Sequence, residues 1–93
     1  MSRRAAKIDA NQHQIIEAFE SHGCAVKSTA GLGCGFPDLV VFDGKSHHLV
    51  EVKMPKGKLR ESQIEFIEAW AGPVHIVRSP IEVLALVQAW RKQ

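Results

Sequence analysis

GFPDLVVFDGKSHHLVEVK, residues 35–53, contains two apolar runs on either side of a turn signal. Leu39–Phe42 and His47–Lys53 have the length and the β-branched content of strands, and Asp43-Gly44 between them is typical of a hairpin turn. Asp38 precedes the first run, whereas Glu51 and Lys53 end the second. Because a buried charge destabilises the fold unless something compensates it, these ionisable residues are candidates for a functional site.

The alternation of side chains along a strand predicts how these residues are arranged. Glu51 and Lys53 share one face of their strand, while Val50 and Val52 take the other. A two-residue turn would set Asp38 diagonal to Glu51, with their Cα atoms about 7–8 Å apart, and a four-residue turn would set the two acids directly opposite. Either even-length turn brings Asp38, Glu51 and Lys53 to one face of the sheet.

Two carboxylates this close repel each other and raise each other's pKa, and a divalent cation between them removes the repulsion. Mg²⁺ binds oxygen ligands at about 2.0–2.1 Å and usually keeps several waters. Such an ion acidifies a bound water and neutralises charge on a phosphate, and Lys53 would reach the same oxygen atoms. The alternative is structural: Glu51 pairs with Lys53 or Lys56 at the surface, and Asp38 caps the glycine loop.

The rest of the chain supplies three helices and two further strands. Helix starts are marked by three capping patterns, Asp9 with Gln12, Ser62 with Glu65, and Ser79-Pro80 with Glu82. The helices are expected to end near Gly23, Ala71 and Arg91, with strands at Cys24–Thr29 and Val74–Val77 and an irregular glycine loop at Gly31–Pro37. The predicted order is α-β-β-β-α-β-α, an α/β fold (α+β by a stricter definition) with a mixed four-stranded sheet flanked by helices.

Two glutamines are predicted to point toward this sheet. Gln12 stands three, four and seven positions before apolar residues of the first helix, and Gln63 has the same relation to Phe66, Ile67 and Trp70 in the second. A buried amide needs hydrogen-bond partners, so either glutamine is a candidate to orient a metal-bound water or to touch a phosphate. Alternatively, Gln12 serves only the helix cap and Gln63 is solvated at a helix start. Glu17 faces outward and is a weaker candidate.

Composition limits the classes of protein to which the chain can belong. Its 93 residues, 45% hydrophobic and 24% charged, indicate one globular domain at 8–93 after a flexible basic arm at 1–7. No run approaches the roughly 20 apolar residues of a membrane span, and no secretory signal is present. Cytoplasmic location with reduced thiols at Cys24 and Cys34 is therefore expected, and the histidines show no zinc-type spacing with these cysteines.

The basic residues are unevenly distributed although the net charge is only +2. One cluster follows the second hairpin strand and another lies in the arm, and together they comprise Lys53, Lys56, Lys58, Arg60, Arg3, Arg4 and Lys7. Clusters of this kind suit a polyanion such as DNA, although most charge runs are solvated surface.

The motifs taken together resemble the PD-(D/E)xK nuclease superfamily. The matching segments are Gly35-Phe36-Pro37-Asp38-Leu39, Leu49-Val50-Glu51-Val52-Lys53, Gly57-Lys58-Leu59 and Ser62-Gln63. Within that superfamily the chain is similar to stand-alone VRR-NUC domains of the small phage type. The opening Asp9-Ala10-Asn11-Gln12 and the segment Gly72–Ser79 extend the resemblance over nearly the whole chain.

The resemblance implies a restriction-endonuclease-like core and a Mg²⁺- or Mn²⁺-dependent endonuclease that hydrolyses DNA phosphodiesters. Asp38, Glu51 and the carbonyl of Val52 correspond to metal ligands, Lys53 to the catalytic lysine and Gln63 to a helix glutamine of the family. Many relatives carry a glutamate where this chain reads Asn11-Gln12, so Gln12 is expected to bind metal directly or through water. Small members are similar to Holliday junction resolvases and tend to be homodimers.

Three functions are consistent with the sequence. The first is a metal-dependent, structure-selective DNA endonuclease in which Lys56, Lys58, Arg60 and the basic arm contact phosphates. The second is a catalytically silent DNA-binding module of the same fold. The third, a hydrolase of small phosphoesters, is disfavoured because no nucleotide-cradling Gly-x-x-x-x-Gly-Lys-Ser/Thr motif is present.

Overall fold

The computed structural model describes residues 9–93, so the predicted arm at 1–7 and Ile8 lie outside the described residues. The elements occur in the predicted order α-β-β-β-α-β-α, interrupted by one turn of 3₁₀ helix at Ala30–Leu32. They are α1 (Gln12–Ser21), β1 (Ala25–Ser28), β2 (Leu39–Phe42), β3 (His47–Val52), α2 (Glu61–Ala69), β4 (Val74–Val77) and α3 (Pro80–Arg91). No helix in the described part of the chain combines the length and the apolar character that crossing a membrane requires.

The sheet is mixed and its strands follow chain order, β1-β2-β3-β4. The first three strands are antiparallel neighbours, whereas β4 runs parallel to β3 after the crossover through α2. The predicted fold class, an α/β arrangement with a mixed four-stranded sheet flanked by helices, is therefore confirmed.

The hairpin between β2 and β3 has a four-residue loop. Phe42 pairs with His47, which leaves Asp43–Ser46 as the loop, and the two-residue alternative is wrong. The Asp43 carboxylate explains the choice, because it accepts hydrogen bonds from the backbone N–H groups of Lys45 (2.7 Å) and Ser46 (2.8 Å). This side chain closes a wider turn than Asp-Gly alone would favour.

One face of the sheet carries the apolar core. Leu39, Val41, Val50, Val52 and Val77 alternate inward along their strands and pack in one cluster with residues of α1 and α3, namely Ile15, Phe19, Val83, Val87 and Trp90. Fully burying each of the aliphatic side chains contributes about 1.5–3 kcal/mol. Because the period of a strand is two, the intervening positions Asp38, Glu51 and Lys53 are directed to the other face.

Two of the three predicted helix caps are wrong. The N-cap of α1 is Asn11 rather than Asp9, and that of α2 is Arg60 rather than Ser62. In α2 the side-chain amide oxygen of Gln63, Oε1, accepts a hydrogen bond from the Arg60 backbone N–H at 2.7 Å, so the glutamine replaces the predicted Ser62–Glu65 box. Ser79 is the N-cap of α3 as predicted, with Pro80 at the first helical position, although the Ser79 side chain makes no capping bond.

The glycine loop is held at its base and pressed against α2. Thr29 donates from its backbone N–H to the Asp38 carbonyl (2.7 Å) and from its hydroxyl to the Pro37 carbonyl (2.6 Å). Gly35 has a φ of +79°, and a Cβ atom built on it would clash with the backbone carbonyl oxygen of Ser62. The loop can approach the first turn of α2 this closely only because residue 35 has no side chain.

We predict that Gly35→Ala destabilises the protein far more than Gly33→Ala. Both positions have positive φ, which costs alanine on the order of 1–3 kcal/mol, but a side chain at Gly33 meets nothing within 4 Å among the described residues. Gly35→Ala adds a backbone clash, so a total loss of about 3–5 kcal/mol is expected. Urea denaturation of both variants measures the difference, and equal losses would contradict the close approach of loop and helix.

Candidate functional site

The hairpin register brings the predicted acids together. Leu39 pairs with Val50, so the preceding residue Asp38 falls opposite Glu51, on the face away from the apolar core. All three predicted ionisable residues are buried, with exposed fractions of 9% for Asp38, 2% for Glu51 and 5% for Lys53. The Val52 backbone N–H donates to Oδ2 of Asp38 at 2.9 Å, which fixes the aspartate against the end of β3.

Burial and proximity raise the pKa of both carboxyl groups. The pKa of Glu51 rises to about 8, first because the group is removed from water and second because Asp38 stands beside it. Burial also raises the pKa of Asp38, and the Val52 N–H and the Glu51 side chain oppose that rise. The nearby Lys53 ammonium favours the ionised form of both acids. Two carboxyl groups thus share one nearby positive charge, that of Lys53, which cannot neutralise both when they are ionised.

Gln63 connects this pair to the second helix. Its Nε2 donates to Oε2 of Glu51 at 2.7 Å, while its Oε1 accepts the Arg60 backbone N–H. The amide thus has both ends satisfied and holds the Glu51 carboxyl against the first turn of α2. The predicted inward direction of Gln63 is confirmed, and its solvated alternative is wrong because the side chain is buried.

The first turn of α1 lies at the same end of the sheet. The Asn11 Nδ2 donates to the backbone carbonyls of Lys53 and Arg78, at 3.0 Å each, so it joins the ends of β3 and β4 to the helix. Gln12 is buried as predicted, and its Oε1 has no hydrogen-bond partner among residues 9–93. Asp9 is close enough to raise the pKa of Asp38. Glu17 is exposed and pairs with His13 at 3.0 Å, away from these groups.

Sequence reasoning missed the structural roles of Asn11 and Arg78. Arg78 Nη1 donates to the carbonyls of Met54 (3.3 Å) and Gly57 (3.0 Å) and so holds the turn that follows β3. No sequence pattern indicates that contact, because the partners are backbone atoms more than 20 residues away. The predicted DNA-contacting residues Lys56, Lys58 and Arg60 are all exposed on or just after that turn.

The structural alternative, in which Glu51 pairs with Lys53 or Lys56 and Asp38 caps the glycine loop, is not observed within residues 9–93. In the described range 9–93, the ion pairs join His13 to Glu17 and His48 to Asp43, and neither involves the buried acids or Lys53. Asp38 does not cap the glycine loop with its carboxylate, because that group accepts the Val52 N–H instead.

The oxygen atoms available as metal ligands fit a hard, partly hydrated cation. Within residues 9–93 no group of three or more His, Cys, Asp and Glu side chains is arranged to hold a metal ion. Two adjacent carboxyl groups remain, together with the orphaned Oε1 of buried Gln12. One or two carboxylates completed by water and phosphate oxygens is the usual environment of protein-bound Mg²⁺.

Comparison with known proteins identifies the family. The model of the VRR-NUC domain matches residues 9–84, a span that contains Asp38, Glu51, Lys53 and Gln63. Neither the curated proteins nor the solved structures give a match. Because the matched span covers more than half of the chain, the protein belongs to the VRR-NUC family of nuclease-type domains.

We predict that the metal-free protein becomes less stable as the pH rises and that Glu51→Gln removes most of this dependence. The pKa of Glu51 is raised to about 8 in the fold, so the folded state retains a proton that the unfolded state releases. The contribution of this proton to the free energy of unfolding is complete below about pH 4.3, the pKa of the group in the unfolded chain. It is lost as the pH rises through the pKa of Glu51 in the fold, and the change is on the order of a few kcal/mol.

Urea denaturation in chelator between about pH 5 and pH 9 measures this slope. Glu65→Gln, which changes an exposed acid of α2, is the matched control and is expected to keep the wild-type slope. The same slope in Glu51→Gln as in wild type would contradict the raised pKa of the buried Glu51.

Proposed function

We propose that this VRR-NUC domain is a Mg²⁺- or Mn²⁺-dependent, structure-selective DNA endonuclease that hydrolyses phosphodiester bonds, with branched DNA resembling a Holliday junction as its substrate. The observation that carries the proposal is the opposition of two buried carboxyl groups, Asp38 and Glu51, with the Lys53 ammonium beside them. A fold selected for stability alone gains nothing from two acids buried beside each other.

Asp38, Glu51 and the carbonyl of Val52 would hold the cation. When bound, it would acidify a water molecule and neutralise charge that develops on the scissile phosphate. The chain's own contribution is geometric: the Val52 N–H orients Asp38 and Gln63 orients Glu51. Pre-positioned ligands of this kind need little reorganisation when substrate arrives.

Lys53 and the two glutamines would complete the site. The Lys53 ammonium lies on the carboxylate face and would hydrogen-bond the attacking water or a non-bridging phosphate oxygen. Gln63 would act by positioning the glutamate that it contacts. Gln12 has a buried amide oxygen that is unpaired within the described part of the chain, and this oxygen would accept a hydrogen bond from a metal-bound water.

The DNA backbone would run beside the turn after β3, where Lys56, Lys58 and Arg60 are exposed. Contacts with phosphates give affinity that falls with salt and carries little sequence information. The arm containing Arg3, Arg4 and Lys7 would add further contacts, and cutting two strands symmetrically would require a homodimer with two sites related by a two-fold axis. Action on DNA inside a cell would place the protein in the cytoplasm of a bacterial or phage-infected host.

The second candidate is a catalytically silent DNA-binding module. Exposed basic residues alone would serve that role equally well, but they do not explain the burial of Asp38, Glu51 and Lys53. Binding that persists without cleavage under all metal conditions would favour the module.

We predict that Asp38→Asn and Glu51→Gln each reduce cleavage of branched DNA by at least about 100-fold while DNA binding is kept or improved. Each substitution removes a metal ligand and a negative charge that faces phosphate. The measurement compares cleavage of labelled four-way junctions and linear duplexes with Mg²⁺, with Mn²⁺ and with chelator.

Glu65→Gln again serves as the control and is expected to cut at the wild-type rate. Gel-shift assays in chelator show whether each variant still binds DNA. If Glu51→Gln cleaves as fast as wild type, the assignment of the catalytic site is wrong.

A further inference from the structure

Trp70 departs from the position that its helical spacing predicts. The spacing from Gln63 places it on the inward stripe of α2, yet its side chain is 46% exposed. The other tryptophan, Trp90, is 5% exposed within the core. A tryptophan half in water at the end of a helix offers an aromatic surface to a binding partner.

The indole ring is held in a fixed orientation by two phenylalanines. Phe66 stacks on it with ring centroids 5.0 Å apart and planes 21° from parallel, and Phe36 of the glycine loop meets it edge-on at 6.5 Å and 80°. Phe36 and Phe66 also contact each other at 5.2 Å. The exposed part of Trp70 is therefore pre-oriented, so a ligand that stacks on it would find the ring already in place.

Charge on α2 is segregated around the helix. The acidic residues Glu61, Glu65 and Glu68 are all exposed and lie, by helical spacing, on the side opposite Gln63, Phe66 and Trp70. Lys58 and Arg60 are exposed immediately before the helix. The glutamates therefore repel a polyanion from their side of α2. Lys58 and Arg60 attract it to the N-terminal end of the helix, from which the side that carries Phe66 and Trp70 continues.

The same helix joins the indole to the candidate catalytic site. Trp70 follows Gln63 by seven residues, which corresponds to about 10 Å along the helix axis. That distance spans roughly three nucleotide steps at 3.4 Å each. A paired base inside a duplex has its faces covered by its neighbours, so an indole at this distance can stack only on a base that is unpaired.

We propose that Trp70, supported by Phe66 and Phe36, is a stacking platform for an unpaired DNA base a few nucleotides from the scissile phosphate. The substrate class that it selects is DNA with single-stranded character beside the cut, such as a flap, a gap or an opened branch point. This inference rests on the proposed nuclease function, because it assigns the platform to the substrate of that site.

The test uses intrinsic fluorescence and binding in chelator, where no cleavage is expected. Oligothymidylate should quench the emission of wild-type protein, because the exposed Trp70 stacks on a base. Trp70→Ala should bind oligothymidylate and flap DNA about 5- to 150-fold more weakly. Its affinity for a fully paired, blunt-ended hairpin should change by less than about 2-fold, within the ±0.5 kcal/mol typical of neutral surface substitutions.

Two control variants separate stacking from damage to the fold. Trp70→Phe keeps an aromatic face, so it should retain most of the affinity but lose the quenching, because only the buried Trp90 remains. Leu84→Ala, which shortens an exposed side chain of α3, should behave like wild type. Equal loss of affinity for paired and unpaired DNA in Trp70→Ala, or emission that changes with protein concentration but not with DNA, would overturn the proposal.

The outcomes also distinguish this inference from the proposed function. Quenching by oligothymidylate without cleavage under any metal condition would leave the platform standing while the nuclease proposal fails. The reverse outcome is metal-dependent cleavage by Trp70→Ala with the same preference for flap over duplex DNA as wild type. That result would support the nuclease proposal and overturn the platform.

Discussion

The structure depends on one unfavourable arrangement, the burial of Asp38 and Glu51 opposite each other across β2 and β3. Removing carboxyl groups from water raises their pKa, and their mutual repulsion raises that of Glu51 further. Three surrounding contacts offset this cost. The Val52 N–H stabilises Asp38, Gln63 donates to Glu51, and Lys53 supplies the compensating charge. A site that is destabilised without its ligand is the expected form of a metal centre.

The hairpin lets one short segment serve the core and the site together. Val50 and Val52 pack against helices on one face, while Glu51 and Lys53 project from the other. The first turns of two helices close the same end of the sheet, α1 through Asn11 and α2 through Gln63. Gly35 allows the glycine loop to pass against α2 without a gap, so the loop that precedes Asp38 and the helix that holds Glu51 are tied together.

The sequence predicted what local pattern controls and missed what long-range contacts control. Strand alternation correctly placed Asp38, Glu51 and Lys53 on one face, because a period of two follows from backbone geometry. The caps at Asp9 and Ser62 were wrong. Asn11 bonds the distant carbonyls of Lys53 and Arg78, and Gln63, which also caps α2 at Arg60, bonds the distant Glu51. Helical spacing places Trp70 on the same side of α2 as Gln63, but it gives a direction and not the depth of the neighbouring surface, and the side chain is half exposed. The roles of the site residues stay predictions, because geometry alone does not show catalysis.

The central claim is that the two opposed carboxyl groups form a cation site, and crystals grown with Mn²⁺ test it most directly. Anomalous scattering locates the ion independently of the protein coordinates. We expect a peak contacted by the carboxylates of Asp38 and Glu51 and by the carbonyl of Val52, and no such peak in Glu51→Gln. Density only elsewhere, for example at the Asp43–His48 pair, or no bound ion in well-ordered crystals would contradict the account.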